Sequence, residues 1–442
     1  MGSFLGSARN QRGGGAVPAM RYIAKSDVWS LDMLEAELRR VGARNVKEAR
    51  LLKQVFCDLD EAQAKALVQV GVELCPVDQC HTHTSSTVVV PGAVTTLPDV
   101  WYLLRSYLSP PLTGAGLTVA VLDSGIRKTH QALVGKVVYE VNTTTTASSD
   151  DLLGHGTAVA SVLCGGRHAA GEFSGVAPGA SIINVKVFPD APNASTEDVI
   201  QGIEAVCEMV DEARRQGCPP THPMHPNAIN LSLGVLPETD TADHPLRVAC
   251  RLARQDYGLD VIASAGNDGP DANTINVPAS DPEVVAVGAV ETLGELVVWE
   301  KSSRGPTQEG LVKPDLVMWG VDVEAAGNTA DDAWVRVSGT SFSTPMVAGL
   351  GGLVGEALRR VYGEGVSFNW GQVLPLAPLF CIKESGAPLE KDNDYGYGLP
   401  AMPFLLRDIA PRADRYLEPM AASVGMVLAT AMLGMVIRST IG

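Results

Sequence analysis

Positive charge is scarce in this sequence of 442 residues. Lys and Arg number 34 against 50 Asp and Glu, so the formal net charge is −16 at pH 7. A nucleic-acid-binding domain needs a basic face, and this balance therefore argues against a nucleic-acid partner. The acidity instead favours solubility and a mild attraction for basic substrates.

Signals for export and for a disulfide framework are also missing. The first twenty residues contain no apolar run of the length that a secretory signal needs, so export by that route is not predicted. The eight cysteines are spread along the chain without dense, regular spacing. They predict no disulfide scaffold and do not settle the redox compartment. We expect residues 1–20 to form a flexible arm.

Residues 21–78 carry the pattern of a small α+β unit. Three strand-like segments alternate with two helix-like segments, in the order YIA, SLDMLEAELRRVG, ARLLKQVFCDL, EAQAKALVQVG and VELCPV. The segment 79–99 that follows is polar and has no helical period. This composition indicates a linker or strap.

Between residues 100 and 405, apolar runs alternate with helix-like segments. The apolar runs include LTVAVLD, SIINVKVF, AINLSLG and DVIASAGN. Continuous Val, Ile and Leu runs separated by helices indicate an α/β fold with a parallel sheet covered by helices on both faces. In such a sheet, functional residues gather at the carboxyl ends of the strands.

The segment 420–437 is an apolar run of 18 residues without charge. It is just long enough to span a bilayer, and we favour a single-pass membrane anchor over a buried apolar helix. Residues 406–419 would then be a juxtamembrane linker. Arginines are more numerous before the run than after it, which slightly favours a cytoplasmic-facing protein. Interleaved acidic residues leave the opposite side open.

Three motifs carry residues with catalytic chemistry. Asp123 lies in VAVLDSGI at the end of a predicted strand, and His155 lies in GHGTAVASVL at the start of a helix pattern. Ser341 lies in GTSFSTPMVAG at the head of another predicted helix, where free backbone N–H groups can receive an oxyanion. Each motif alone also suits a structural role: a turn or capping aspartate, a structural histidine, or a capped helix.

Together the three residues supply the parts of a nucleophilic mechanism. A serine hydroxyl is a weak nucleophile and needs a base, which in turn needs an orienting carboxylate. The order Asp, His, Ser along the chain is the order found in subtilisin. The sequence therefore predicts a catalytic triad of Asp123, His155 and Ser341.

At these motifs the sequence resembles the subtilisin-like serine proteases. DSGI, GHGTAVA and GTSFSTPMVAG each match the family motif around one triad member, and the likeness covers roughly residues 100–402. The resemblance implies a subtilisin-like three-layer fold and hydrolysis of peptide bonds in protein or peptide substrates. It also implies that the amide of Asn267, in SAGN, stabilises the tetrahedral oxyanion.

The resemblance further predicts how substrates bind. The segments SLG and SAG would be the edges with which an extended substrate pairs. Asp268 and Asn276 would line the first specificity pocket and favour Arg, Lys or polar side chains. The predicted substrate-binding residues are Ser232, Leu233, Gly234, Ser264, Ala265, Gly266, Asp268 and Asn276.

Residues 21–78 resemble the inhibitory propeptide of this family, a small α+β module that assists folding and plugs the cleft. The chain's own module is then a predicted partner, and the strap at 79–99 contains the site of self-cleavage. A permanently attached accessory domain is the other interpretation.

We predict no metal site and no cofactor. The loop CGGRHAAGEFSG lacks the Asn and Asp oxygens of the family's calcium site. Cys75, Cys80, His81 and His83 lie close together, but their spacing does not match a structural zinc site.

Two further functions stay open at this stage. One is a membrane-tethered binding or scaffold protein that keeps the fold but lacks activity. The presence of all three triad residues and of Asn267 argues against it. The other is peptide ligation or macrocyclisation by the same residues, which analysis of the products would distinguish from hydrolysis.

Overall fold

The computed structural model describes residues 19–83, 86–89, 111–166, 175–291, 296–364, 366–384 and 390–401. The chain divides into two compact units, Met1–Val77 and Asp78–Gly442. Residues 406–437, which include the predicted linker and membrane anchor, and most of the predicted arm lie outside the described residues. None of the helices in the described ranges combines the length and the apolar composition of a bilayer span.

The smaller unit is an antiparallel sheet with two helices. Its elements are β1 Met20–Lys25, α1 Leu31–Arg40, β2 Arg44–Ala49, β3 Gln54–Leu59, α2 Glu61–Gln69 and β4 Glu73–Pro76. The strand order is β2-β3-β1-β4. Helix α2 begins with a capping box, in which Asp60 and Gln63 satisfy each other's backbone N–H groups. Leu34, Leu38 and Leu67 from the helices form a core with sheet residues.

The sequence pattern revealed three of these four strands and missed β2. Its sequence, RNVKEA, is polar, and only Ala49 is buried. The strand lies at the edge of the sheet and pairs on one side only, with β3. A polar edge strand lacks the apolar run by which buried strands are recognised. The number of strands predicted for this unit was therefore wrong.

The larger unit is built around a parallel sheet. Its strands are β5 Gln79–Thr82, β6 Ser86–Val89, β7 Thr118–Asp123, β8 Val137–Asn142, β9 Ser181–Lys186, β10 Asn193–Ser195, β11 Ala228–Leu231, β12 Leu233–Gly234, β13 Asp260–Ser264, β14 Val285–Val290, β15 Leu316–Trp319, β16 Val323–Ala326, β17 Trp334–Ser338, β18 Cys381–Ile382 and β19 Leu399–Pro400. Its helices are α3 His155–Cys164, α4 Thr196–Arg215, α5 Pro245–Gln255, α6 Thr340–Tyr362 and α7 Trp370–Val373, followed by a 3-10 helix at Leu374–Leu379.

Seven strands form the parallel sheet, in the order β15-β14-β13-β11-β7-β9-β8. Alternate residues of β7 point to opposite faces, as in any strand. Val119 and Val121 join a core that contains residues of α3 and α6. On the other face, Leu122 lies against Gly202 of α4. The prediction of an α/β fold with helices on both faces of a parallel sheet is confirmed.

This topology brings distant parts of the chain to one edge. Strands β13, β11 and β7 are adjacent and parallel, so their carboxyl ends meet there. Asp123 is the last residue of β7, Ser232 follows β11, and Asn267 follows β13 by three residues. The amino ends of α3 and α6 supply His155 and Ser341. The predicted catalytic and substrate-binding residues named here thus lie in or just after five separate elements.

A buried ion cluster holds α5 in place. Arg247 is 1% exposed. Its guanidinium lies 3.0 Å from Asp240, 3.3 Å from Asp281 and 2.8 Å from Glu309. Removing one partner of a buried ion pair leaves an uncompensated charge.

Arg247→Ala should therefore lower the free energy of unfolding by about 3–5 kcal/mol, measured by urea denaturation. Arg215→Ala is the matched control on α4. Arg215 pairs with Glu212 at 2.5 Å, but its side chain is 70% exposed. We expect this control to change stability by less than about 1 kcal/mol. Equal effects of the two substitutions would contradict a stabilising role for the buried cluster.

Candidate active site

A carboxylate and an imidazole meet at the carboxyl end of β7. Oδ1 of Asp123 accepts hydrogen bonds from His155 Nδ1 and from the Ser124 backbone N–H, each at 2.7 Å. Both side chains are buried. Because a carboxylate only accepts, the proton of a neutral imidazole is on Nδ1 and Nε2 is left as an acceptor.

A glycine after His155 permits this contact. A Cβ atom on Gly156 would lie 2.2 Å from the carbonyl oxygen of Gly125 and 3.1 Å from Asp123 Cβ. Any larger residue would push the start of α3 away from the end of β7. The glycine of the GHGT motif therefore sets the distance between the carboxylate and the imidazole.

Ser341 lies in the first turn of α6 and is fully buried. Its hydroxyl donates to the carbonyl oxygen of Ser232 at 2.9 Å. Among the described residues, His155 Nε2 has no hydrogen-bond partner. The serine and histidine are therefore not hydrogen-bonded to each other here. The hydroxyl must turn about its χ1 bond to reach the ring, and such contacts often tighten only when substrate reacts.

Asn267 presents an unpaired amide donor in the same place. Its Oδ1 accepts from the backbone N–H of Thr340 at 3.1 Å and from the Thr340 hydroxyl at 3.0 Å. These two bonds fix the orientation of the amide. Its buried Nδ2 has no partner within the described part of the chain. Buried donors are almost always satisfied, so an unsatisfied one indicates a site that receives an acceptor during function.

A segment of the chain itself lies along this site as a strand. Strand β5 is the middle strand of an antiparallel sheet, between β10 and β12. Cys80 pairs with Ala194 on one side, and Thr82 pairs with Leu233 on the other. Two segments, SLG and SAG, were predicted as edges for a substrate strand. SLG pairs with β5, whereas SAG is not a neighbour of β5 in this sheet. The second edge is β10, which sequence reasoning missed because NAS is short and polar.

The carbonyl group of His83, directly after β5, faces the start of α6. The backbone N–H of Ser341 points at the His83 oxygen from 3.4 Å. A Cβ atom on Gly339 would lie 1.9 Å from that oxygen and 3.2 Å from Asn267 Nδ2. Only glycine allows a peptide carbonyl to approach here. The carbonyl thus lies at the positive end of a long helix, close to the unpaired amide.

The imidazole of His83 fills a buried pocket. Its Nδ1 lies 2.6 Å from Ser264 Oγ, and its Nε2 lies 3.0 Å from Asn276 Oδ1. Asn276 Nδ2 donates to Asp268 Oδ2 at 2.7 Å. Two of the predicted substrate-binding side chains therefore contact the imidazole, and a third, Asp268, bonds to one of them.

Other predicted substrate-binding residues form the walls. Gly234 of β12 leaves the room that the imidazole occupies, because a Cβ there would lie 2.7 Å from His83 Cε1. Ala265 and Gly266 are buried just beyond β13. The Ala265 carbonyl accepts from the Asn276 backbone N–H, which holds the asparagine beside the ring.

Metal ligands are not assembled in the part of the chain that the structure describes, where no group of three or more His, Cys, Asp or Glu side chains could hold an ion. Cys80, Cys164, Cys207 and Cys250 are buried free thiols. Burial raises the pKa of the Cys80 thiol well above its usual value. This thiol is therefore protonated at neutral pH.

Comparison with known proteins relates this geometry to one family. Residues 114–372 match the model of the subtilase family of peptidases. The chain is similar to the serine protease AprX of Bacillus subtilis, with 32% identity over 264 residues, which is 55% of this chain and 58% of AprX. It is also similar to the human membrane-bound transcription factor site-1 protease, with 31% identity over 54% of this chain and 20% of that protein.

Solved structures show the same fold. Fervidolysin from Fervidobacterium pennivorans aligns with a TM-score of 0.65 at 19% identity, over 90% of this chain and 62% of fervidolysin. A psychrophilic protease aligns with a TM-score of 0.56 at 25% identity, over 70% of this chain and 99% of that protein. The chain spans little more than half the length of AprX and a fifth of the human protease.

Proposed function

Because the chain belongs to the subtilase family, we propose that it is a serine endopeptidase that uses Asp123, His155 and Ser341. One observation carries the proposal more than the others. A peptide carbonyl, that of His83, lies against the backbone N–H of Ser341 in a cleft that also holds the unpaired Asn267 amide and the unpaired His155 ring nitrogen. Acyl transfer needs a carbonyl beside oxyanion donors and a base, and these groups supply them.

The first step is attack on a substrate carbonyl. The Ser341 hydroxyl turns from the Ser232 carbonyl to His155 Nε2, which takes its proton as the oxygen bonds to the carbonyl carbon. Asp123 holds the ring in the tautomer that can accept this proton and stabilises the imidazolium. The new oxyanion receives hydrogen bonds from Asn267 Nδ2 and the Ser341 backbone N–H.

The second step breaks the peptide bond. His155 gives its proton to the leaving amine, and the carbonyl carbon stays on Ser341 as an ester. Water then enters and loses a proton to His155 as its oxygen bonds to the carbonyl carbon. The ester bond breaks, His155 returns the proton to the Ser341 oxygen, and the acyl group leaves as a carboxylic acid. The products are two peptides and the free enzyme.

Substrate recognition follows from the position of β5. A strand between β10 and β12 is bound through backbone hydrogen bonds, which accept any extended sequence. Cys80 and His83, the third and sixth residues of the segment 78–83, are buried. Side-chain pockets therefore add to the recognition of the backbone. We infer that protein or peptide segments bind in the same extended form.

The chain's own strand suggests that the enzyme is made as a zymogen. Residues 78–83 occupy the path of a substrate, with a carbonyl group at the nucleophile. We propose that the propeptide-like module at 21–78 is separated from the protease by self-cleavage in the strap. Tethering through residues 420–437 stays a prediction of the sequence.

Labelling with a fluorophosphonate tests the proposed function. The reagent forms a covalent bond only with an activated serine, so we expect the wild-type protein to carry one label, mapped to Ser341 by mass spectrometry. His155→Ala should reduce the labelling rate by at least about 10³-fold because the base is lost. His222→Ala, at an exposed position, is the matched control and should label normally. An unlabelled wild-type protein would contradict the proposal.

A further inference from the structure

The side-chain pocket beside Ser341 has a definite pattern of hydrogen-bond donors and acceptors. Asn276 Nδ2 donates to Asp268 Oδ2 at 2.7 Å and to the Thr274 carbonyl at 3.0 Å. These bonds assign the amide orientation, because an amide oxygen could not face two acceptors. Asn276 Oδ1 therefore faces His83 Nε2 and can only accept from it.

The other wall of the pocket has a hydroxyl. Ser264 Oγ lies 2.6 Å from His83 Nδ1, and 3.4 Å from the Leu231 carbonyl. Since Nε2 donates to Asn276, Nδ1 of a neutral ring is the acceptor and the Ser264 hydroxyl donates to it. The pocket thus offers one acceptor and one donor, separated by the width of an imidazole ring.

Burial selects the neutral ring. It lowers the pKa of His83 to about 4, against the attraction of Asp268 and with added repulsion from His155 and His81. The carboxylate of Asp268 accepts a hydrogen bond from the Asn276 amide at 2.7 Å. In a cationic ring both nitrogens would donate, one to Asn276 Oδ1 and the other toward the Ser264 hydroxyl, which then could not donate to the ring. A neutral ring satisfies both partners.

Other side chains fit this pattern less well. Leu or Phe would leave Asn276 Oδ1 buried without a donor, and a buried unpaired acceptor costs about tenfold or more in affinity. Lys or Arg would lose the hydration of a full charge in this buried pocket, and at His83 the same desolvation outweighs the attraction of Asp268. Gly234 lies against one side of the His83 ring and so limits the size of the side chain that the pocket can hold.

We propose that the enzyme selects histidine at the residue whose carbonyl Ser341 attacks, and that Ser264 and Asn276 recognise the imidazole ring of this histidine. The proposal rests on the proposed peptidase function and narrows the earlier expectation of Arg, Lys or polar residues. It also assigns the bond that the enzyme cuts in its own chain, between His83 and Thr84. Ser341 forms an ester with the His83 carbonyl, the Thr84 amine leaves with a proton from His155, and water releases His83 as a carboxylate.

A substrate series tests the selectivity. Six peptides carry the chain's own residues 78–82, then His, Gln, Leu, Phe, Arg or Ala, and a C-terminal coumarin amide. We expect kcat/KM of the histidine peptide to exceed that of the Leu and Phe peptides by about tenfold or more, in line with the cost of an unpaired acceptor. Equal or faster cleavage of the Leu, Phe or Arg peptide would overturn the proposal.

Two variants distinguish a loss of histidine recognition from general damage to the enzyme. Ser264→Ala removes the donor to Nδ1 and should reduce the His-to-Phe ratio of kcat/KM about tenfold. Ser280→Ala is the matched control. Ser280 is equally buried, and its hydroxyl has no partner among the described residues. An unchanged ratio in Ser264→Ala would count against the assignment.

The same ratio measured against pH gives a second test. A free histidine peptide is protonated below a pKa of about 6.5, whereas the bound ring stays neutral down to about 4. The His-to-Phe ratio should therefore fall about tenfold per pH unit below about 6.5. Dividing by the Phe rate cancels every pH dependence that the two substrates share. A ratio that does not change between pH 8 and 5.5 would contradict binding of the neutral ring.

Mass spectrometry of the N-terminal fragment needs no added substrate. The fragment from freshly made protein should end at His83, and an end elsewhere in the strap would contradict the assigned bond. Failure of the function and of the selectivity are distinguishable. Without fluorophosphonate labelling the peptidase function itself fails, whereas labelling without cleavage of the histidine peptide refutes the selectivity alone.

Discussion

Ser341→Ala should lower kcat for peptide hydrolysis by about 10⁶-fold, which is the loss measured for the corresponding change in subtilisin. The reason is chemical rather than structural. Asp123 and His155 act only on the proton of that hydroxyl, so removing it leaves them without a function. Stabilisation of the oxyanion by Asn267 and the helix end remains and gives only a small residual rate.

Two measurements check this expectation. Hydrolysis of a peptide that carries residues 78–83 followed by a C-terminal coumarin amide reports activity on added substrate, and the mass of the protein on a gel reports self-cleavage. The alanine variant should stay full length under conditions in which the wild type loses its N-terminal segment. Ser343→Ala is the control. Its hydroxyl is equally buried but donates to the Met318 carbonyl, and activity should stay within about tenfold. Self-cleavage of Ser341→Ala would show that another group is the nucleophile.

Asp123→Asn should lower kcat by about 10⁴-fold at neutral pH. The Asp123 carboxylate accepts from both His155 Nδ1 and the Ser124 N–H. An asparagine has no negative charge to stabilise the imidazolium. If its amide turns its NH₂ to the ring, His155 is also forced into the tautomer whose Nε2 carries the proton and cannot accept the one from Ser341.

The Asp123→Asn loss should appear in kcat more than in KM, because the carboxylate does not touch the substrate. Circular dichroism and the unfolding temperature show whether the variant keeps its fold. Asp150→Asn is the matched control, since this carboxylate lies in an exposed loop near the site, and its activity should stay within about twofold. A loss below tenfold in Asp123→Asn would mean that the carboxylate does not orient the ring.

The fold was predictable from the sequence because the central strands of the sheet have a clear apolar pattern. The strands β7, β9, β11, β13 and β14 are buried on both faces, so they read as continuous apolar runs between helices. Elements that do not bury both faces were less visible. Strands β2 and β10 are short or polar edge elements, and neither was predicted.

The candidate catalytic residues were predictable for a related reason. Each lies in a short motif at the end of a strand or the start of a helix, and small residues there keep the chains close together. Gly156 and Gly339 have local sequence signatures, GHGT and GTSFS, and both prevent steric clashes that any Cβ would cause. The roles of Asp123, His155 and Ser341 stay predictions until activity is measured.

The occupant of the cleft and the contacts of its side-chain pocket depended on the tertiary structure. The sequence by itself determined the fold class, the position of the reactive residues at one edge of the sheet, and the set of chemical groups available. The structure decided which segment lies in the cleft and which side chain fills the pocket. His83 meets Ser264 across 181 residues and Asn276 across 193. Local patterns of charge and hydrophobicity report only on neighbours a few residues away, whereas these contacts arise from the packing of the sheet as a whole.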